Sequence, residues 1–380
     1  MSARGPGRAR SAGAGIAAAV LLGLGGCDGD STAPGPAPAY TVELEAPAGY
    51  VVPGDAVPLT VRVLDADGRP TGEATVEWSS SRPDVAQVDA SGVLMALAPG
   101  EAVITASVTG DRASILVEVI PPVLVGAGDI ASCDRDGDEA TAKLLDGIGG
   151  IVFTTGDNAY VAGTAREFED CYGPSWGRHR ARTRPSVGNH EYRTEGAAPY
   201  FAYFGDAAGE PGAGYYSYDI AGWHVVVLNS EIDMGPGSAQ LAWLEEDLSQ
   251  HEARCTLAYW HRPLFSSSRH GNQPAVKPLW EALYEAGAEV VVNGHDHSYE
   301  RFAPQTPAGV ADAERGIREF VVGTGGRSHY EFVAVQPNSE LRHTGTFGVL
   351  KLTLHAEGYA WEFVPAAGGG FRDSGTGSCH

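Results

Sequence analysis

Beyond its first two dozen residues the sequence has no apolar run approaching the roughly 20 residues that a helix needs to cross a bilayer, so no internal helical span is expected. Basic residues are scarce: 26 Lys and Arg stand against 48 Asp and Glu, a net charge of -22. Nucleic acids and anionic membrane surfaces are held by clustered Lys and Arg, so neither is an expected partner. Phosphate affinity is not excluded, because a metal centre can supply positive charge locally. Cysteine is sparse as well, with five residues in 380. At this length two to three structural units are expected, at least one with a full core.

The first segment reads as an export signal. Arg4, Arg8 and Arg10 precede a small-residue and leucine-rich run from Ala12 to Leu24, and no acidic residue occurs before Asp28. Leu24-Gly25-Gly26-Cys27 resembles a bacterial lipobox, which makes residues 1–26 a lipoprotein-type signal and Cys27 the lipid acceptor. The plainer alternative is an ordinary thiol beside a conventional cleavage site. On the first reading the only membrane contact is the lipid anchor, and the location is the bacterial cell envelope or the exterior. Residues 27–39, rich in Gly, Pro, Ala, Ser and Thr, read as a flexible linker.

Without Cys27 four cysteines remain, an even number for an oxidising compartment. Two disulfides are expected. Of the three pairings, Cys133 with Cys171 and Cys255 with Cys379 is preferred, the second pinning the chain's last residues; buried free thiols are the alternative.

Residues 40–120 hold short β-type runs, such as Pro58 to Leu64 and Ala102 to Val108, alternating near period two between Gly, Asp and Pro turns. An all-β sandwich follows from that spacing. The stretch Val76 to Asp89, with Gly92 and Ala98-Pro99-Gly100 after it, resembles bacterial immunoglobulin-like group 2 domains. No catalytic constellation is visible in it, so it reads as a spacer or as a module contacting envelope or extracellular ligands.

After Pro121-Pro122 apolar strands alternate with helical segments: Val123 to Val125, Ile151 to Phe153, Trp223 to Leu228, Cys255 to Trp260, Ala288 to Val292 and Phe320 to Val322. Helices are expected near Asp138 to Ile148, Ser238 to Gln250 and Lys277 to Ala286, with an antiparallel finish from Phe347 to Val364. The fold class is α/β (α+β), over about 123–365, with 366–380 as a tail.

Five short motifs follow one another, most of them directly after an apolar strand, where α/β folds place their chemistry. They are Gly128-Asp129-Ile130, Gly156-Asp157-Asn158-Ala159-Tyr160, Gly188-Asn189-His190-Glu191, Trp260-His261-Arg262-Pro263 and Gly294-His295-Asp296-His297-Ser298-Tyr299-Glu300-Arg301. Together they offer carboxylates, an amide oxygen, a phenol and imidazoles, a mixed oxygen and nitrogen set suited to Fe, Mn or Zn, with no thiolate. A shared carboxylate can bridge two ions roughly 3.5–4 Å apart.

These motifs, in this order, resemble the calcineurin-like metallophosphoesterases and, within them, the purple acid phosphatases. Where the wider superfamily has histidine two residues after its first aspartate this chain has Ala131, and its second motif carries Tyr160 as that branch does. The resemblance implies a central β-sandwich flanked by helices. It implies that Asp129, Asp157, Tyr160 and His297 hold one metal and that Asp157, Asn189, His261 and His295 hold another. The implied pair is Fe(III), favoured by a Tyr160 phenolate, with divalent Fe, Zn or Mn. Metal-bound hydroxide would attack the phosphorus of a phosphate-ester substrate, while His190 binds the phosphate or protonates the leaving alkoxide.

His270, after Ser266-Ser267-Ser268-Arg269, is a candidate substrate contact. Glu191, Tyr192, Asp296, Glu300 and Arg301 are expected to brace neighbouring ligands. His179, His224, His251, His329, His343, His355 and His380 read as packing or surface residues. The expected activity is a phosphomonoesterase of acid phosphatase type; a phosphodiesterase, or a surface-binding protein carrying an inactive phosphoesterase-like domain, are the alternatives.

Overall fold

A computed structural model describes residues 40–380 except 48, 49, 73 and 252. The signal-like segment, Cys27 and the linker 27–39 lie outside the described residues. The chain divides into two units at Val119 and Ile120.

The first unit is all β: β1 (Tyr40–Leu44), β2 (Ala56–Pro58), β3 (Val61–Asp65), β4 (Glu77–Ser80), β5 (Ala86–Val88), β6 (Val93–Ala96), β7 (Gly100–Val108) and β8 (Asp111–Val119). They form sheets β1-β3, β2-β6-β5 and β4-β7-β8. Side chains alternate across a pleated strand. Along β7, Ala102, Ile104, Ala106 and Val108 therefore turn inward, where Ala102 and Ile104 join Leu94 and Val117 in one apolar cluster. Asp89 closes the β5–β6 turn by accepting from the N–H of Ser91 at 2.8 Å and of Val93 at 3.0 Å.

The second unit contains β9 (Val123–Ala127), β10 (Ala131–Ser132), β11 (Ile151–Thr155), β12 (Ala159–Tyr160), β13 (Thr183–Ser186), β14 (Tyr216–Ile220), β15 (Trp223–Val227), β16 (Cys255–Tyr259), β17 (Val290–Asn293), β18 (Tyr299–Phe302), β19 (Arg318–Val322), β20 (Ser339–His343), β21 (Gly348–His355), β22 (Gly358–Pro365) and β23 (Asp373–Ser378). Its helices are α1 (Gly137–Gly147), α2 (Ala165–Glu167), α3 (Ala198–Phe204), α4 (Ala239–Gln250) and α5 (Lys277–Glu285). One sheet runs β13-β11-β9-β21-β22-β23 and the other β14-β15-β16-β17-β19-β18-β20. Strands β9, β11 and β13 are mutually parallel, as are β15, β16, β17 and β19.

Every residue of β9, β11, β15 and β16 is buried, because these strands are covered on both faces and so read as unbroken apolar runs. The sheets stack through Phe153 on Tyr259 at 5.5 Å, Phe320 on Trp361 at 5.7 Å and Tyr299 on Phe363 at 4.7 Å. Helices α4 and α5 cover the second sheet, seating Leu241, Leu244, Leu279, Trp280 and Leu283 against Val226, Ala258 and Val291. Ser238 caps α4, its hydroxyl accepting from the Leu241 N–H at 3.2 Å.

The segment 366–380, read from sequence as a tail, contains β23, which pairs antiparallel with β22 from Gly358↔Ser378 to Phe363↔Asp373. Asp-Ser-Gly-Thr-Gly-Ser shows no apolar alternation. It is a strand because Trp361 packs over Gly375 so closely that a Cβ there would lie 2.3 Å from the indole. Disulfides join Cys133 to Cys171, with Cα atoms 4.9 Å apart, and Cys255 to Cys379, 5.5 Å apart. No helix among the described residues is long and apolar enough to cross a membrane.

Candidate metal centre

The C-terminal ends of parallel strands from both sheets meet at one place. Asp129 follows β9, Asp157 follows β11, Asn189 and His190 follow β13, His261 follows β16, and His295 and His297 follow β17. Backbone bonds between the strand ends fix the loops: the Asp129 N–H donates to Gly156 O at 3.1 Å, and the Gly294 N–H to His261 O at 2.9 Å. Asp129, Asp157 and His295 have φ of 60°, 50° and 69°. Side chains rarely adopt this left-handed region, and three such residues at one spot mark a site where local strain is held by its surroundings. Gly188 leaves the room needed, since a Cβ there would lie 2.3 Å from Asp157 Oδ1.

The donors form two groups sharing one atom. In the first, Tyr160 Oη lies 2.8 Å from Asp129 Oδ1, 2.9 Å from Asp157 Oδ2 and 3.2 Å from His297 Nε2. In the second, His261 Nε2 lies 3.4 Å from Asp157 Oδ2, 3.1 Å from Asn189 Oδ1 and 3.2 Å from His295 Nδ1. Asp157 Oδ2 belongs to both. Ligand atoms of Asp129, Asp157 and His261 all fall within 4.8 Å of one another, and all three residues are buried.

The electrostatics of this group suit a cation. Burial, Asp129 and Asp157 push the Tyr160 phenol well above its ordinary value, so only added positive charge would make it a phenolate. Burial opposes charge on Asp157, but His261 and His190 outweigh it and hold the carboxyl far below the usual range. Burial likewise opposes a charged His261, yet Asp157 lifts its imidazole to about 10. Burial and His261 drive His295 far down, leaving it neutral with a free lone pair. Two buried carboxylates, an amide oxygen, a phenol and three imidazoles therefore converge, and the set fits a pair of borderline-hard metal ions.

Outer contacts aim the donors. His261 Nδ1–H donates to Thr155 O at 2.8 Å, which leaves Nε2 toward the centre. His297 Nδ1 meets Ser328 Oγ at 2.7 Å, and its ring stacks on Tyr330 at 4.0 Å. Glu191 accepts the N–H groups of Asp157, Asn158, Ala159 and Gly188 at 2.8–3.2 Å, bracing two loops at once. Burial and Asp157 push its carboxyl up, against the four donors that favour its charge.

His190 flanks the first group. Its backbone N–H donates to Asp157 Oδ1 at 2.8 Å, its Nδ1 faces Val161 O, and its Nε2 stands 3.8 Å from Asp157 Oδ2. His270 stacks on His295 at 4.2 Å and is held by Asp296, whose Oδ1 accepts its backbone N–H at 2.9 Å. Asp296 also accepts from Ser266 Oγ, and Glu300 from Ser267, so both brace loops.

Several neighbours carried no signal of their own in the sequence. Arg193 donates to His190 Nε2 at 3.2 Å, and Arg327 lies over the Tyr160 ring at 5.2 Å while pairing with Asp134 at 3.4 Å. Arg269 lies over Tyr330 at 5.2 Å. Ser328, Tyr330 and Arg327 come from the glycine-rich loop Gly323 to Tyr330 after β19, and a polar, glycine-rich turn directly after an apolar strand was the available cue.

Residues 124–299 match the calcineurin-like phosphoesterase family, and residues 39–114 match the bacterial Ig-like domain, group 2. The second unit belongs to the calcineurin-like phosphoesterases and is preceded by a bacterial Ig-like unit. Purple acid phosphatases are among the proteins it resembles. Purple acid phosphatase 15 of Arabidopsis thaliana is 27% identical over 215 residues, 51% of this chain and 38% of the relative. Purple acid phosphatase 21 of the same plant is 36% identical over 96 residues, 24% of this chain and 22% of the relative. The chain thus spans well under half the length of these curated relatives. A purple acid phosphatase from seeds of yellow lupin, Lupinus luteus, shares the fold at TM-score 0.58 and 18% identity, covering 90% of this chain and 74% of that one.

Proposed function

We propose that this chain is an exported phosphatase that hydrolyses phosphate monoesters at a dinuclear centre. The observation that carries the reading is Asp157 Oδ2, one carboxylate oxygen common to two donor groups. Asp129, Asp157, Tyr160 and His297 would hold one ion, favouring Fe(III) through the hard phenol oxygen. Asp157, Asn189, His261 and His295 would hold a divalent Fe, Zn or Mn. Bound there, the ions would supply Lewis-acid charge to the phosphate oxygens and a water activated at neutral pH.

The chain's own groups do the rest. Thr155 and Ser328 aim His261 and His297, so the donors need little reorganisation. His190 would hydrogen-bond the phosphate or pass a proton to the leaving alkoxide. Burial lowers its imidazole, which works against the second role, while the Asp157 carboxylate favours the protonated form that role needs. His270, beside His295, is placed for a substrate contact. Arg193, Arg269 and Arg327 supply local positive charge in an otherwise acidic chain, and a monoester carries more charge for them to meet than a diester.

The same reading places the chain at the bacterial envelope or outside it, anchored through Cys27, with the Ig-like unit contacting envelope or extracellular ligands. The test is metal analysis of the purified chain together with hydrolysis of a chromogenic mono- and bis-aryl phosphate, with and without chelator. Two metal equivalents at the centre and chelator-sensitive monoester hydrolysis are expected. A strong diester preference would replace this reading with a phosphodiesterase.

A further inference from the structure

A second group of metal-type donors lies at the opposite end of the parallel strands. Asp219 on β14 and His224 on β15 are register partners across a hairpin. His224 is the second residue of β15, near its N-terminal end, whereas the centre sits past the C-terminal ends of the strands parallel to it. The last turn of α4 supplies Asp247, and His251 follows the helix directly. Asp219 Oδ1 lies 2.9 Å from His224 Nδ1, and Asp247 Oδ2 lies 2.8 Å from His224 Nε2. His251 Nδ1 meets the backbone oxygen of Asp247 at 2.7 Å, and its ring stacks on His224 at 3.8 Å. Ser217 Oγ donates to Asp247 Oδ1 at 2.9 Å and fixes that carboxylate.

Asp247 therefore engages one nitrogen of each histidine, through its carboxylate for His224 and its carbonyl for His251. This is the orienting role that carboxylates and carbonyls play behind metal-bound imidazoles. His224 Nδ1 offers a lone pair once the proton it shares with Asp219 is displaced, and in a neutral His251 ring Nε2 offers another. Asp219, His224 and His251 each bring a ligand atom within 4.8 Å of the other two. Tetrahedral ligands about 2.0–2.1 Å from zinc stand about 3.3 Å apart, so Asp219 and His224, now 2.9 Å apart, would open slightly, and His251, stacked on His224 at 20°, would turn to bring Nε2 to the ion. Asp219 is 63% exposed and His251 33% exposed, which gives an ion a path in, while His224 is buried.

We propose that Asp219, His224 and His251 bind a divalent transition ion of the zinc type, with Asp247 as the positioning residue, clamping the β14–β15 hairpin to α4. Two imidazoles and a carboxylate suit zinc, and three protein ligands leave a fourth position for water. Binding replaces the proton that His224 otherwise shares between two carboxylates, so it releases protons and tightens as pH rises.

The experiment is zinc titration of the full chain, wild type beside His251→Ala and Asp157→Asn, read by bound-metal stoichiometry after gel filtration and by zinc-dependent Tm. His251→Ala should hold one equivalent fewer than wild type, lose most of the zinc-dependent rise in Tm and keep phosphatase activity. Asp157→Asn should keep the equivalent that His251→Ala loses, so a failed catalytic reading and a failed clamp give different patterns. Equal stoichiometry and equal Tm shifts in wild type and His251→Ala would overturn the proposal.

Discussion

At the residue scale the centre depends on how few atoms are shared. If His190 supplies a proton to the departing oxygen, His190→Ala should slow alkyl phosphates by about 10²–10⁴-fold, the usual range for general-acid catalysis. Aryl esters with good leaving groups should lose much less, and an equal loss for both would assign His190 to phosphate binding alone. Ser328→Ala frees the His297 ring from its outer partner at 2.7 Å. Outer contacts of this kind are worth about 10–100-fold in metal affinity or activity. Metal titration of Ser328→Ala should show a loss in that range, and unchanged affinity would remove Ser328 from the positioning set. The side chains that the structure brings together at the candidate centre were legible as candidates because most sit in a short polar motif directly after an apolar strand. Ser328, Tyr330, Arg193 and Arg327 were not, because they reach the centre through tertiary placement rather than any fixed spacing from a motif.

At the scale of elements, the hairpin-to-helix clamp makes a pH prediction for chelator-treated protein. Burial opposes charge on His224, but Asp219 and Asp247 raise its imidazole from 6.5 to about 9. The folded value lies above the unfolded one, so the stabilisation is complete below about pH 6.5 and is lost as pH rises through about 9. The shift corresponds to on the order of 3 kcal/mol. Thermal melts from pH 6.5 to 10 should show wild type losing stability while His224→Gln changes far less; parallel curves would contradict the assignment. Strands and helices were largely readable: the expected helix from Ser238 to Gln250 is α4, running Ala239–Gln250 behind its serine cap. The apolar runs from Trp223 and Cys255 are β15 and β16. Strand β23 was not readable, since its pairing comes from β22 and the Trp361 ring rather than from its own Gly- and Ser-rich pattern.

For the whole molecule, the disulfides tie distant parts of the second unit together. Cys133–Cys171 spans 38 residues and Cys255–Cys379 spans 124. Chain entropy alone assigns such loops about 4 and 5 kcal/mol respectively. Cys255→Ser with Cys379→Ser should therefore lower the urea midpoint strongly, with a steeper slope as the freed unfolded chain exposes more surface, and an unchanged midpoint would show that the bond adds nothing. The account as a whole rests on one shared carboxylate. The most direct measurement is metal content and phosphomonoester hydrolysis of Asp157→Asn beside wild type, with folding checked by circular dichroism. The account predicts a folded variant that has lost the centre's metal and its activity; a variant that hydrolyses the ester at the wild-type rate would contradict it.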